Sequence, residues 1–189
     1  MAVTYIMKIT ASDLSVSGAE GNRVMSTGTG SDTNFVVGGA GFDPPATEQH
    51  YFITLDTPLP NNDDFEDGNT TVEVEVDVSN MNIDCRAKVH RLNSSGVSQE
   101  AGAFASDQDL GVSRTFTCAV PAGGWTAGAC SDRFAVEVEF ESAAGMNQSV
   151  TIAVGATTNE VDNANLTENV AACAVGGVKG IPINVSAMI

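Results

Sequence analysis

Three observations predict an all-β fold for this chain of 189 residues. Apolar and polar residues alternate with a period of two, Gly-rich breaks separate the alternating runs, and no long stretch repeats every 3.6 residues. The layout they predict is an antiparallel β-sandwich, jelly-roll-like, with extended N- and C-terminal segments. Folding a chain of this size hides roughly 70% of the surface the unfolded chain exposes, so it can build a core unaided. Residues 1–48 are expected to form an N-terminal strand or arm and Gly-rich loops. Residues 49–189 are expected to form the sandwich with its C-terminal strand, the whole making one compact domain.

In chain order, Thr4 to Thr10 reads as the first strand. Residues 11–49 are rich in Gly, Ser and Thr and end in Gly38-Gly39-Ala40-Gly41 and Asp43-Pro44-Pro45, a composition of loops, arms or short edge strands. Tyr51 to Leu55 is the next strand. The clearest alternation follows, with Val72, Val74, Val76 and Val78 facing one way and Glu73, Glu75 and Asp77 the other. After Asn80 the pattern resumes with Ile83, Cys85, Ala87 and Val89 inside, and Asp84, Arg86, Lys88 and His90 outside. A hairpin loop over Ser79 to Asn82 would set Glu75 opposite Arg86 and Glu73 opposite Lys88, although it also opposes Asp77 and Asp84.

Thr115 to Val120 is a further strand. Phe134, Val136, Val138 and Phe140 then form an inward row against outward Glu137, Glu139 and Glu141. Val150, Ile152 and Val154 supply the row that pairs with it after a loop around Gly145. Residues 156–179 carry one short helix near Leu166 to Val175, closed by Gly176 and Gly177. Ile181 to Ser186 is the last strand.

Lys and Arg total 8 against 24 Asp and Glu, a formal charge of −16. Such a chain repels phosphate backbones and anionic bilayers, which excludes direct nucleic-acid and membrane-surface binding as the expected role. The same charge keeps copies soluble when crowded. No run of about 18 apolar residues is present, and the first residues show no signal-peptide pattern, so synthesis without an export signal is expected. The sequons at Asn69, Asn93, Asn147, Asn165 and Asn184 then reflect composition rather than glycosylation.

Candidate chemistry is sparse. The loop from Asn61 to Asn69 gathers Asp63, Asp64, Glu66 and Asp67, oxygen donors that suit calcium, but it misses the EF-hand register and reads better as a solvated acidic loop. Calcium is thus the one cofactor the residues suggest, and no other cofactor is expected. Cys118 and Cys130 flank a Gly-rich loop that a disulfide would close, against buried free thiols as the ordinary state of an intracellular chain. Neither His50 nor His90 lies in a recognisable active-site motif, and Gly-x-Ser-x-Gly is absent. His90 reads as an exposed strand residue. Glu137, Glu139 and Glu141 read as a charged outer face, so no catalytic residue is assigned and a non-enzymatic protein is expected. Trp125, in a Gly-rich loop, is either a sugar platform or interface anchor, or a cap on the core.

From about Thr70 to Val154 the chain resembles a recurring phage-associated β-sandwich. The residues that carry this are Asn80-Met81-Asn82-Ile83, His90 to Gly96, Trp125-Thr126-Ala127-Gly128, Ser131 to Phe140 and Gln148 to Ile152. Proteins of this look include head decoration or cement proteins and fibre modules. The resemblance implies a structural virion protein that decorates and stabilises a capsid exterior. Its partner would be the major capsid protein or another virion protein, with the chain itself a homotrimer. A fibre or receptor-binding module, or a cellular carbohydrate-binding or adhesion domain, is the alternative. Docking is expected through the terminal segments, with Tyr5, Ile6, Met7, Trp125, Ile181, Ile183 and Met188 as interface candidates.

Overall fold

The computed structural model describes residues 3–26, 33–54, 68–120, 132–155 and 160–163. These build thirteen strands and no helix. The strands are β1 (Val3–Ala11), β2 (Gly21–Ser26), β3 (Thr33–Gly38), β4 (Thr47–Thr54), β5 (Gly68–Val74), β6 (Val76–Val78), β7 (Asn80–Leu92), β8 (Ser98–Ala101), β9 (Gln108–Leu110), β10 (Arg114–Val120), β11 (Arg133–Ser142), β12 (Ser149–Val154) and β13 (Glu160–Asn163). A ten-stranded sheet runs β10-β5-β13-β1-β2-β4-β11-β7-β8, with β9 also on β7. A three-stranded sheet, β3-β12-β6, packs against it. The all-β sandwich expected from the alternation is therefore present. Its pairs are antiparallel except for β2 with β4, which run parallel because β3 carries the chain through the other sheet between them.

The core lies between the sheets. Phe35, Val37, Val150, Ile152 and Val154 of the small sheet meet Met25, Phe52, Val72, Val74, Phe116, Phe134, Val136, Val138 and Phe140 of the large one. Phe52, Phe116, Phe134 and Phe140 are among the largest fully buried side chains. Truncating any of them to Ala would cost about 3–5 kcal/mol. The large sheet also curls round on itself. Gly102 hydrogen-bonds to the carbonyl of Val89 on β7, and a Cβ at Gly102 would strike the carbonyl of Ala119 on β10. Arg114 at the head of β10 holds Asp109 of β9 at 2.6 Å. The end of the sheet at β10 is thereby brought beside β7.

Several expectations are corrected here. The valine run from Val72 to Val78 is not one strand of a hairpin with the strand after it. It breaks at Glu75, and β5 pairs β10 and β13 while β6 crosses to the small sheet and pairs β12. Arg86 faces Glu139 and Lys88 faces Glu137 instead of Glu75 and Glu73. The rows on β11 and β12 do not pair either; they face each other across the core from different sheets. Tyr5, Ile6 and Met7, expected at a docking surface, are 4%, 5% and 2% exposed. β1 lies inside the large sheet between β13 and β2, so these side chains are core. Trp125, Ile181, Ile183, Met188, the acidic residues Asp63, Asp64, Glu66 and Asp67, Cys130, and the expected helix and last strand lie outside the described residues.

Candidate functional site

The chemistry gathers on the outer face of the large sheet, where β4, β11 and β7 run side by side. Alternation puts Tyr51 and Gln49 of β4, Glu137 and Glu139 of β11, and Arg86, Lys88 and His90 of β7 on that face. Register sets Tyr51 and Lys88 on either side of Glu137, and Gln49 and Arg86 on either side of Glu139. Each carboxylate thus receives donors from both neighbouring strands.

Around Glu137 the contacts are dense. Its Oε2 accepts from the Tyr51 hydroxyl at 2.8 Å, from His90 Nε2 at 2.7 Å and from Lys88 Nζ at 3.0 Å. The His90 and Tyr51 rings lie 5.4 Å apart. Burial alone would push the Glu137 carboxyl up, but the bonds from His90, Lys88 and Tyr51 outweigh it and hold the group below its ordinary value. Burial, followed by the bond to Glu137, pushes the Tyr51 phenol up. Glu139 takes Arg86 Nε at 2.8 Å and Gln49 Nε2 at 3.0 Å. Expected as a solvated outer face, Glu137 is 1% and His90 3% exposed.

The cover comes from two loops. Leu14, Val16 and Ala19, between β1 and β2, pack on Tyr51, Ile53, Leu92 and Ala135 as a second apolar cluster. That loop is pinned by Val16 N–H to Asn22 Oδ1 at 2.8 Å and Glu20 N–H to the carbonyl of Gln49 at 3.0 Å. Gly96, at φ +76°, tucks the β7–β8 turn under it, and a Cβ there would collide with the Ser15 carbonyl. Phe104, between β8 and β9, lies over both cations, with its ring centre 4.2 Å from the Arg86 guanidinium carbon and 4.0 Å from Lys88 Nζ. Alternation identifies the face correctly, but covering loops distant in sequence decide whether it meets water.

One more contact leads from this layer to the surface. His90 Nδ1 stands 2.9 Å from Oγ of Ser98, an exposed residue at the start of the edge strand β8. Sequence reading passed over Ser98, because nothing in Val97-Ser98-Gln99 marks it and its link to His90 depends on how β8 folds back on β7.

A second buried histidine lies on the inner side. Arg donates only, so His50 Nδ1 accepts from Arg23 Nη1 at 2.5 Å, which leaves the proton on Nε2 to reach Glu48 Oε2 at 3.1 Å. The Arg23 guanidinium also stacks on Phe35 of the small sheet, 4.1 Å from the ring centre. Burial, helped by the Arg23 charge, lowers His50 to about 4. Burial raises Glu48.

Cys85 and Cys118 are buried free thiols, and burial pushes that of Cys118 up to about 12. No group of three or more His, Cys, Asp or Glu side chains suited to a metal ion occurs among the described residues.

No family model and no curated protein matches the chain. Among solved structures, a CocE/NonD family hydrolase from Staphylococcus aureus overlaps 88% of this chain and 36% of its own, at 9% identity and a TM-score of 0.42. The Gt strain of infectious bursal disease virus overlaps 78% and 35%, at 9% identity and a TM-score of 0.39. The VP2 subviral particle of the same virus overlaps 78% and 36%, at 13% identity and a TM-score of 0.37. The chain spans about a third of the length of each of these proteins.

Proposed function

We propose that this protein is a structural component of a virion, placed on the exterior of a phage capsid, which it decorates and stabilises. The outer face of the small sheet carries this reading. There Val36 of β3, Thr151 of β12 and Val78 of β6 stand in one row across all three strands, since Thr151 pairs with both valines. Val36 is 61% and Val78 58% exposed. On a chain with a charge of −16, an uncharged, partly apolar row spanning a sheet is a surface suited to contact. The residue pattern from Thr70 to Val154 supports the virion context, and the acidic charge suits many copies held close together. In this reading the partner is the major capsid protein, the decorating unit is a homotrimer, and many weak repeated contacts stiffen the shell.

Co-sedimentation with capsid shells stripped of the protein tests the assignment. Both valines point to solvent, so the double substitution Val36→Asp with Val78→Asp leaves the core intact. It is expected to weaken shell binding at least tenfold, a loss of about 1.4 kcal/mol. Unchanged occupancy by the folded variant would reject this face as the docking surface.

A further inference from the structure

Ser98, His90 and Glu137 form a continuous hydrogen-bonded chain from the surface into the covered layer. Ser98 Oγ is 2.9 Å from His90 Nδ1, and His90 Nε2 is 2.7 Å from Glu137 Oε2. The ionised carboxylate only accepts, so Nε2 carries a proton and donates to it. In the neutral imidazole Nδ1 is then an acceptor facing the Ser98 hydroxyl. The base is 3% exposed and its carboxylate 1%, whereas Ser98 is exposed on an edge strand. A nucleophile, a base that touches it and a third group that fixes the base are the parts of an activated serine. Lys88 and Tyr51, bonded to the same Glu137 oxygen, hold the carboxylate in place.

We infer that Ser98 is an activated nucleophile for acyl transfer, with His90 as its general base and Glu137 as the positioning residue, acting on neutral carboxylic esters. The net charge of −16 disfavours anionic substrates, and the open edge of β8 favours an acyl group that projects from a larger partner. In the first step Ser98 Oγ bonds to the ester carbonyl carbon while its proton passes to His90 Nδ1. The carbon–oxygen bond to the leaving alcohol breaks, and that oxygen takes the proton from Nδ1. Water then repeats the sequence on the acyl-serine, releasing the carboxylic acid and restoring the hydroxyl. When Nδ1 carries the proton, the hydroxyl has a second acceptor in the Glu100 carbonyl at 3.3 Å. This inference is independent of the capsid reading.

A fluorophosphonate probe applied to the full-length chain, with peptide mapping of the adduct, tests it. One adduct on Ser98 is expected, formed at least a hundredfold faster than in the denatured chain and absent from Ser98→Ala, which keeps the fold because the residue is exposed. In Glu137→Gln labelling is expected to slow at least tenfold with the thermal transition kept, and Glu137→Asp, which restores a carboxylate acceptor, is expected to recover part of the rate. A Glu137→Gln chain that keeps its thermal transition and labels Ser98 at the native rate would overturn the positioning role. Labelling of the native chain no faster than of the denatured chain, or an adduct that persists in Ser98→Ala, overturns the inference. Hydrolysis of p-nitrophenyl acetate by the native chain and not by Ser98→Ala gives a second reading that needs no buried substitution.

Discussion

At the scale of single residues, the two buried histidines are held by different partners, His50 by Arg23 and Glu48 and His90 by Ser98 and Glu137. His50 must stay neutral, because its Nδ1 accepts from Arg23 and its surroundings lower it to about 4 from the ordinary 6.5. In the unfolded chain it takes up a proton as pH falls below about 6.5, while the folded chain resists until about 4. The unfolded state binds more protons across that window, so stability falls with pH through it. The loss reaches about 3 kcal/mol by pH 4. Glu137, held below its ordinary value, adds a stabilisation present above the normal carboxylate range and lost at still lower pH. Glu48, raised by burial, works the other way and offsets part of the loss. Urea unfolding from pH 7.5 down to pH 4 should therefore show a falling midpoint. His50→Gln, which keeps an acceptor for Arg23 and a donor for Glu48 without titrating, should flatten the curve. A wild-type midpoint constant across that range would refute this use of His50. Alternation alone assigned His90 and Glu137 to the correct sheet face. Their burial was not legible, because the cover on their neighbours comes from separate loops: Leu14 and Val16 pack on the cluster of Tyr51 and Leu92, and Phe104 lies over Arg86 and Lys88.

At the scale of elements, strands with strict alternation were legible and their partners were not. The expected strands near β1, β5, β7, β10, β11 and β12 are all present, with Ile83, Cys85, Ala87 and Val89 buried as the pattern requires. The short strands β2, β3, β8, β9 and β13 carry too few alternating residues to stand out from their Gly-, Ser- and Asp-rich surroundings. Pairing went astray where adjacent strands in sequence belong to different sheets. A charge-matched hairpin satisfied local rules, but Arg86 and Lys88 find stronger partners in Glu139 and Glu137, which are far away in sequence. The same long-range pairing changes the role of the N-terminus. Removing residues 1–10 would strip out β1, an internal strand that buries Tyr5, Ile6 and Met7. The truncated chain should fail to fold, seen as loss of the cooperative thermal transition by circular dichroism. A truncated chain that melts like the parent would contradict an internal β1.

At the scale of the whole molecule, the large sheet is buried on both sides around β11. Its inner face meets the core, and its outer face holds paired charges under two loops. The small sheet turns an uncharged row to solvent, with Val36 and Val78 flanking Thr151. Fold class and surface charge were readable from composition and period. The choice of outward surface was not, because it depends on which strands leave the large sheet at Glu75 and at β3. The measurement that bears most directly on the account is cryo-electron microscopy of native particles carrying this chain. The predicted map has the protein on the outer capsid surface with Val36, Thr151 and Val78 against a capsid subunit. A map with that row facing solvent, or with the chain at a fibre tip or inside the shell, would contradict it.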